Sequence, residues 1–205
     1  MGKPIVCIVA ALCPHMGIGY RGGLPWKLSQ EMKYFRQVTT STFTEGKSNA
    51  VIMGRRTWES IPAKFRPLKG RINVVLSRQF PSFQREDDRF LSNDLSHAIK
   101  SLQDLPVERI YIIGGAQLYT ESIDIATHWL VTNIHFNSQN EQPPPVDTFL
   151  PRLTHHEEVS PEQLAEFLPS QVELPPLQAL QYGNHHYSMQ DNFTYWYTLY
   201  ESQNT

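Results

Sequence analysis

Four short segments of this chain consist almost entirely of branched and other apolar residues. They span Ile5 to Ala11, Ala50 to Met53, Ile72 to Leu76 and Ile110 to Ile113. Strands that are covered on both faces read in this way, whereas half-exposed strands alternate apolar with polar residues. The runs therefore predict an α/β fold with a parallel sheet at its centre.

Further segments extend this predicted sheet. Trp129 to Ile134 is another apolar run, and the alternation from Phe193 to Tyr200 predicts an antiparallel strand at an edge. Three consecutive prolines form a stiff segment before a short predicted strand, Asp147 to Leu150. From residue 155 to 191 the pattern is weak, and we expect a short helix at Glu162 to Phe167 and otherwise surface loop.

A helix is predicted between the first two strands. Leu28, Met32, Phe35 and Val38 recur at helical spacing, shortly after a proline. Glu31 lies four residues before Phe35, so the two side chains project from the same side of the helix. A single helical glutamate is ordinarily a solvated surface charge, and spacing alone does not decide against that interpretation.

Composition narrows the class of partner. The 205 residues suit one domain, 1–205, and carry 18 Lys+Arg against 20 Asp+Glu, a net charge of -2. No basic surface for nucleic acid or for an anionic membrane is expected. No apolar run is long enough to span a bilayer, so we expect a cytoplasmic protein. Cys7 and Cys13 are expected to be unpaired thiols.

Two segments have the strand, glycine turn and helix order that binds phosphate groups. One is Gly54-Arg55-Arg56-Thr57, and the other is Gly114-Gly115 before a helix from Ala116 to about Ile123. Glycine lets the backbone approach a ligand, and free amides at a helix start favour an anion. Neither turn has a standard nucleotide fingerprint, and Gly114-Gly115 taken alone is also compatible with a turn that binds nothing.

Arginines follow the first of these turns and a neighbouring strand. Arg55 and Arg56 open a helix, where positive charge opposes the helix dipole unless an anion is present. Ser77-Arg78 follows the strand that ends at Leu76 and adds a hydroxyl and another guanidinium. Guanidinium groups bind phosphate oxygens in a bidentate manner, so the set favours NADP, with its additional phosphate, over NAD.

Many short motifs, in one order across residues 5 to 150, resemble dihydrofolate reductases. They are Ile8-Val9-Ala10, Met16-Gly17-Ile18-Gly19, Leu24-Pro25-Trp26, Glu31 with Tyr34-Phe35, Met53-Gly54-Arg55-Arg56-Thr57-Trp58, Ser60-Ile61-Pro62, Phe65-Arg66-Pro67-Leu68, Gly70-Arg71-Ile72-Asn73, Leu76-Ser77-Arg78, Ile113-Gly114-Gly115 and Asp147-Thr148-Phe149. The loop lengths look most like those of fungal, monofunctional members of the family.

This resemblance implies a mixed, mostly parallel eight-stranded sheet flanked by four main helices, with an antiparallel carboxyl-terminal edge. It also implies NADPH-dependent reduction of 7,8-dihydrofolate to tetrahydrofolate for one-carbon metabolism. The implied partners are dihydrofolate and antifolate inhibitors, and the implied oligomeric state is a monomer. No metal is implied, and the histidines show no metal-binding pattern.

The resemblance also assigns roles to residues. Glu31 matches the buried acid that binds the pterin, Trp26 would hold a water beside it, and Arg71 matches the residue that pairs with the glutamate tail. Leu24, Tyr119 and Thr132 complete the catalytic set. The remaining substrate residues would be Ile8, Val9, Ala10, Phe35, Ser60, Ile61, Leu68 and Ile113. The cofactor residues would be Ala10, Ile18, Gly19, Gly22, Gly54, Arg55, Arg56, Thr57, Leu76, Ser77, Arg78, Ser92, Ile113, Gly114, Gly115, Ala116, Gln117, Leu118 and Tyr119.

Two positions depart from the family pattern, and two alternative functions remain open. Gly23 stands where many family members have an acidic or polar residue, and Asn93 stands near the position of a basic residue in some. One rival is another NADPH-dependent reductase on the same fold, such as a pyrimidine reductase of riboflavin synthesis, which would not need Glu31, Phe35 and Arg71 together. The other rival is a noncatalytic NADPH-binding module that has kept the pocket.

Overall fold

The molecule is built on one mixed sheet, seen in a computed structural model that describes residues 2–203. Its strands are β1 (Ile5–Leu12), β2 (Gly17–Gly19), β3 (Ser48–Gly54), β4 (Arg71–Leu76), β5 (Gln84–Glu86), β6 (Arg89–Ser92), β7 (Val107–Ile112), β8 (His128–Phe136), β9 (Thr148–Phe149), β10 (His156–Glu158), β11 (Leu177–Leu180), β12 (Gly183–Gln190) and β13 (Phe193–Ser202). The helices are α1 (Ser29–Thr40), α2 (Arg55–Ser60), α3 (Leu95–Gln103), α4 (Ala116–Ser122) and α5 (Pro161–Phe167), with a single 3-10 turn at Ala63–Phe65.

The centre of the sheet is parallel, as the apolar runs predict. Its main order is β11-β12-β13-β8-β1-β7-β3-β4-β6-β5, and the six strands from β8 to β6 are mutually parallel. The described residues form thirteen strands rather than eight. Short strands extend the sheet at both ends, and β2, β9 and β10 pair with other strands outside the main order. The mixed α/β class is therefore confirmed, with a larger strand count and five α-helices.

The carboxyl-terminal part of the sheet differs from the sequence prediction in one respect. β13 is antiparallel to β8, as predicted, but it is not the outermost strand, because β12 pairs with its other side and β11 pairs with β12. Of residues 155 to 191, the predicted helix is confirmed as α5, whereas the predicted surface loop contains the β11–β12 hairpin and β10. The expectation of loop there is wrong.

Helix α1 packs on one face of the sheet and presents Glu31 to it. Glu31, Tyr34 and Val38 are buried at intervals of three and four residues, and this set fixes the face that contacts the strands. Met32, which we expected on the apolar side, is 57% exposed. It lies one residue past Glu31, about 100° around the helix, and so points away from the sheet.

Helices α3 and α4 cover the opposite face, over Trp129 and the buried residues of β7. Asp94 caps α3, since its carboxylate accepts a hydrogen bond from the backbone amide of His97 at 2.7 Å. Cys7 is buried beneath these helices and is unpaired, as expected. No helix within residues 2–203 is long and apolar enough to cross a membrane.

Candidate active site

Glu31 is a buried carboxylic acid with little to stabilise its charge. Its residue is 8% exposed, and the hydroxyl of Thr132 donates to its Oε1 atom at a long 3.4 Å. Burial removes the carboxylate from water and raises the pKa of Glu31 to about 7, which the bond from Thr132 only partly opposes. The group therefore changes protonation near neutral pH, as a proton-handling acid must.

Trp26 is buried just before α1 and has an unused hydrogen-bond donor. Its Nε1 atom, like the hydroxyl of Tyr34 on the next turn after Glu31, has no hydrogen-bond partner in the part of the chain that the structure describes. Buried donors of this kind are usually satisfied by a ligand or an ordered water. The two donors, one just before α1 and one on the helix that carries Glu31, indicate a polar ligand site.

The floor of the site is the junction of β1 and β8. Ala10 of β1 is paired with Thr132 of β8, so the hydroxyl that contacts Glu31 lies beside the predicted Ile8-Val9-Ala10 segment. Tyr119 of α4 is buried and donates from its hydroxyl to the carbonyl oxygen of Ile8 at 2.7 Å. Three catalytic residues predicted from the resemblance, Glu31, Thr132 and Tyr119, are thus linked through two adjacent strands.

The two glycine turns lie against each other at the carboxyl ends of β3 and β7. The amide of Gly54 donates to the carbonyl of Gly114 at 2.9 Å. A side-chain carbon at Gly115 would lie 3.7 Å from the hydroxyl of Thr57, and the Gly114-Gly115 peptide bond is cis. Two helix starts, those of α2 and α4, therefore open onto one glycine-lined edge that suits an elongated phosphate-bearing ligand.

The cationic residues at this edge divide into two groups. Arg56 and Arg78 are exposed, and neither has a hydrogen-bond or ion-pair partner among residues 2–203. Arg55 is already engaged by Glu59 at 3.5 Å and by Gln79 at 3.0 Å. The free anion-binding capacity therefore resides in Arg56 and Arg78, with Arg55 beside them.

The other predicted cofactor residues surround the same edge. Leu76 pairs with Gly54 on one side and with Ser92 on the other, so these positions form a row across β3, β4 and β6. Ser77 is half-buried next to Leu76. The side chain of Ser92 is fully buried and donates to the carbonyl of Asp94 at 3.0 Å, so its hydroxyl faces the protein.

On α4, the predicted cofactor residues have different environments. Ala116 is half-buried and Leu118 is buried within the core. The side chain of Gln117 is exposed, and its amide donates to Glu121 at 3.0 Å. Ala116 is therefore the residue of α4 that lies next to the glycine turn and is partly open to a ligand.

Apolar residues form the walls between Glu31 and Arg71. Phe35, Ile61, Leu68 and Ile113 are each partly buried and pack against the core cluster that contains Ile8. The amide of Leu68 donates to the side chain of Asn73 at 2.9 Å, which fixes this wall. Ser60 is exposed, and its hydroxyl donates to the carbonyl of Thr57 at 2.7 Å.

Arg71 lies at the far end of these walls and has no carboxylate partner among residues 2–203. Its guanidinium donates to the hydroxyl of Thr39 and to the carbonyl of Lys69, both at 3.0 Å. Burial, reinforced by the nearby positive charge of Arg36, lowers the pKa of Arg71 to about 10. An anionic ligand would relieve both effects, so this end of the cleft suits a carboxylate.

A strap made of residues 146–150, which include β9, holds the loop that precedes α1, because β9 pairs with β2. Gly17 has no side chain, and a carbon there would lie 2.6 Å from Val146, so glycine is required for this packing. Asp147 accepts a hydrogen bond from the amide of Arg21 at 2.9 Å, and its own amide donates to Gly19 at 3.0 Å. No role was predicted for Val146 or Asp147, although Asp147 belongs to the motif Asp147-Thr148-Phe149.

The loop residues themselves remain accessible. Ile18 and Gly19 are half-buried in and beside the strap, whereas Gly22 and Leu24 are exposed at its outer end. Gly22 has a φ of 78°, a conformation that favours glycine. The exposed side chain of Leu24 is thus available to a ligand lying between the loop and α1.

Comparisons with known proteins agree with this geometry. The family model for dihydrofolate reductase matches residues 5–167. A dihydrofolate reductase of Saccharomyces cerevisiae is 48% identical over 207 residues, covering 96% of each chain. Those of Candida albicans and Rattus norvegicus are 45% and 40% identical, covering 73% and 75% of this chain and 78% and 81% of their own lengths. The chain belongs to the dihydrofolate reductase family, whose reaction is the reduction of dihydrofolate with a nicotinamide cofactor.

Proposed function

We propose that the chain reduces 7,8-dihydrofolate to 5,6,7,8-tetrahydrofolate with NADPH, supplying one-carbon metabolism. The observation that carries the proposal is Glu31, a buried acid with a pKa of about 7 between an apolar cleft and a glycine-lined edge. A pterin offers an amino group and a ring nitrogen that can both bond to one carboxyl group. Such a pair satisfies a buried acid better than water or an apolar substrate does.

Glu31 anchors the pterin through its amino group and N3, and Phe35 and Ile61 hold the two faces of the ring. With a pKa of about 7, Glu31 keeps its proton in a large fraction of molecules at neutral pH, so it is a source for the proton that N5 requires. The free Nε1 of Trp26 orients a water next to Glu31. That water can carry the proton where the carboxyl group is itself bonded to the ring.

The glycine-lined edge binds the cofactor. Gly54, Thr57 and Gly115 face the diphosphate, and Arg56 and Arg78 pair with the additional phosphate that distinguishes NADPH from NADH. Bound there, NADPH supplies the hydride that reduces C6 of the substrate. Tyr119, which is fixed on the carbonyl of Ile8, and Ile18 on the loop set the position of the nicotinamide against the pterin.

Arg71 binds the α-carboxylate of the substrate's glutamate tail, with Leu68 against the benzoyl group. The two ends of the substrate are then held by different groups, the carboxyl group of Glu31 at the pterin and the guanidinium of Arg71 at the tail. Antifolates that carry the same two ends, such as methotrexate, inhibit by occupying both. The protein acts as a cytoplasmic monomer, as is usual in the family.

The test is an assay of NADPH oxidation by the purified protein, in which the loss of NADPH absorbance is measured over time. Oxidation should depend on dihydrofolate, stop on addition of methotrexate, and be much slower with NADH. Reduction of the pyrimidine intermediate of riboflavin synthesis, with no turnover of dihydrofolate, would replace this proposal by the rival reductase. NADPH binding with no turnover of either substrate would replace it by a noncatalytic module.

A further inference from the structure

A cavity of about 350 Å³ lies on the sheet face opposite Glu31. Its apolar wall is formed by Met16, Val131, Leu150 and Tyr200, and its surroundings include the side chains of His15 and Arg152. Val131 and Thr132 are consecutive residues of β8, so their side chains point to opposite faces of the sheet. Since Thr132 contacts Glu31, the cavity is separated from the proposed pterin site by the thickness of the sheet.

The cavity has the composition of a small-molecule site. Its volume falls within the range of roughly 300 to 1,000 Å³ that ligand sites occupy, and most of its wall is apolar. His15 and Arg152 are exposed, and neither side chain has a hydrogen-bond or ion-pair partner among residues 2–203. The hydroxyl of Tyr200 donates to Glu158 at 3.1 Å, so Tyr200 offers its ring to the cavity while its polar end is occupied.

We propose that this cavity binds a small carboxylate with a flat apolar body. The body lies between Met16, Leu150 and the ring of Tyr200, which removes its apolar surface from water. The carboxylate pairs with the guanidinium of Arg152, which can donate two parallel hydrogen bonds to it. A neutral molecule of the same shape lacks this charge-assisted bond, and a cation is repelled by Arg152.

The cavity is attached to the loop that leads to Glu31. The carbonyl of Met16 accepts a hydrogen bond from the amide of Leu150 at 2.9 Å, so these two lining residues lie where the strap, residues 146–150, meets the residue before β2. A ligand against the side chains of Met16 and Leu150 therefore contacts the start of the loop from the side that faces away from Glu31. The proposed NADPH site involves Ile18 of the same loop, so binding at the two sites should be coupled. Each ligand should then change the affinity for the other by the same factor.

The experiment is isothermal titration with 2-naphthoate, compared with neutral 2-naphthamide, while NADPH and methotrexate occupy the substrate cleft. Naphthoate should bind, and naphthamide should bind at least about 10-fold more weakly. Arg152→Gln should weaken naphthoate by a similar factor. Arg85→Gln removes an exposed arginine of β5 and gives the protein the same net charge as Arg152→Gln does. It should not weaken the binding of naphthoate.

Labelled methionine methyl groups locate the bound probe. The resonance of Met16 should shift on addition of naphthoate, whereas that of Met53, buried elsewhere in the sheet, should not. Loss of binding when the cleft is filled, or equal affinity in the wild type and Arg152→Gln, would overturn the proposed site. An affinity for naphthoate that is the same with and without NADPH would overturn the coupling.

Discussion

Replacing Glu31 with glutamine should stabilise the free protein, and the gain should grow with pH. In the unfolded chain Glu31 loses its proton near its ordinary pKa of 4.5, whereas the folded chain holds the proton up to about pH 7. The contribution of Glu31 to the free energy of unfolding is therefore fully present below the unfolded-state pKa of 4.5. It is lost as the pH rises from there through about 7. Glutamine has the same shape and no proton to lose.

The magnitude follows from the two pKa values. The interval from 4.5 to about 7, at about 1.4 kcal/mol per pH unit, corresponds to roughly 3 kcal/mol. Between about pH 5 and about pH 9, the free energy of unfolding of Glu31→Gln should rise relative to the wild type by about 2 to 3 kcal/mol. The gain at alkaline pH is the free energy that burying an acid for catalysis costs the wild type.

Urea denaturation without ligands, monitored by tryptophan fluorescence across this pH range, measures the difference. Glu166→Gln is the matched control, because Glu166 is an exposed glutamate of α5. It should leave the pH dependence of unfolding unchanged. Wild-type and Glu31→Gln stabilities that remain parallel from acid to alkaline pH would refute the assignment of Glu31 as an uncompensated buried acid.

Three further variants test other parts of the site. Arg71→Leu should weaken methotrexate by about 10- to 100-fold and leave lipophilic antifolates without the carboxylate nearly unaffected; equal losses in an inhibition assay would exclude the proposed pairing. Replacing both Arg56 and Arg78 with glutamine should weaken NADPH by about 10-fold or more without weakening NADH, as measured by protein fluorescence, and parallel losses would count against phosphate recognition. Gly17→Ala should lower kcat by about 10-fold or more, because the added carbon would force the loop away from the strap. Gly23→Ala is the control and should not lower kcat, since a carbon added there meets nothing closer than 3.9 Å. Similar rates for the two variants would show that the strap is unimportant.

The parallel centre of the sheet could be predicted because burial on both faces is written directly into contiguous apolar runs. The β11–β12 hairpin could not, because no residue of either strand is fully buried and neither strand has a comparable apolar run. It is stabilised by its contacts with β13, including pairing of Tyr187 with Trp196 and stacking of Tyr182 on the same indole, with ring centroids 5.2 Å apart. Weak local preference combined with strong tertiary pairing is the situation in which sequence patterns fail.

Helix α3 was a different omission, since its signal is local. Asp94 supplies a cap, and Leu95, Ala98 and Leu102 are buried at helical spacing. These residues could have been read as an amphipathic helix with an N-cap from the sequence alone. No comparable local signal existed for Met32, whose exposure depends on where the sheet meets α1.

The candidate site was predicted in part by chemistry and in larger part by resemblance. Glycine turns after strands predicted a phosphate-binding edge, and the structure brings Gly54 and Gly114 of the two turns into contact, while phosphate binding there stays a prediction. Sequence patterns did not show whether Glu31 was buried, because a helical glutamate is usually solvated. They also did not show that Arg55 is occupied by Gln79, a contact between residues 24 positions apart.

The most direct test of the central claim is the pH dependence of kcat/KM for dihydrofolate in the wild type and Glu31→Gln. For the wild type, kcat/KM should fall as the pH rises through about 7, where Glu31 loses its proton. The variant should lose about 100-fold or more at neutral pH and lack this inflection, while its affinity for NADPH stays within about two-fold of the wild type. Turnover of dihydrofolate by Glu31→Gln at the wild-type rate at pH 7 would contradict the account.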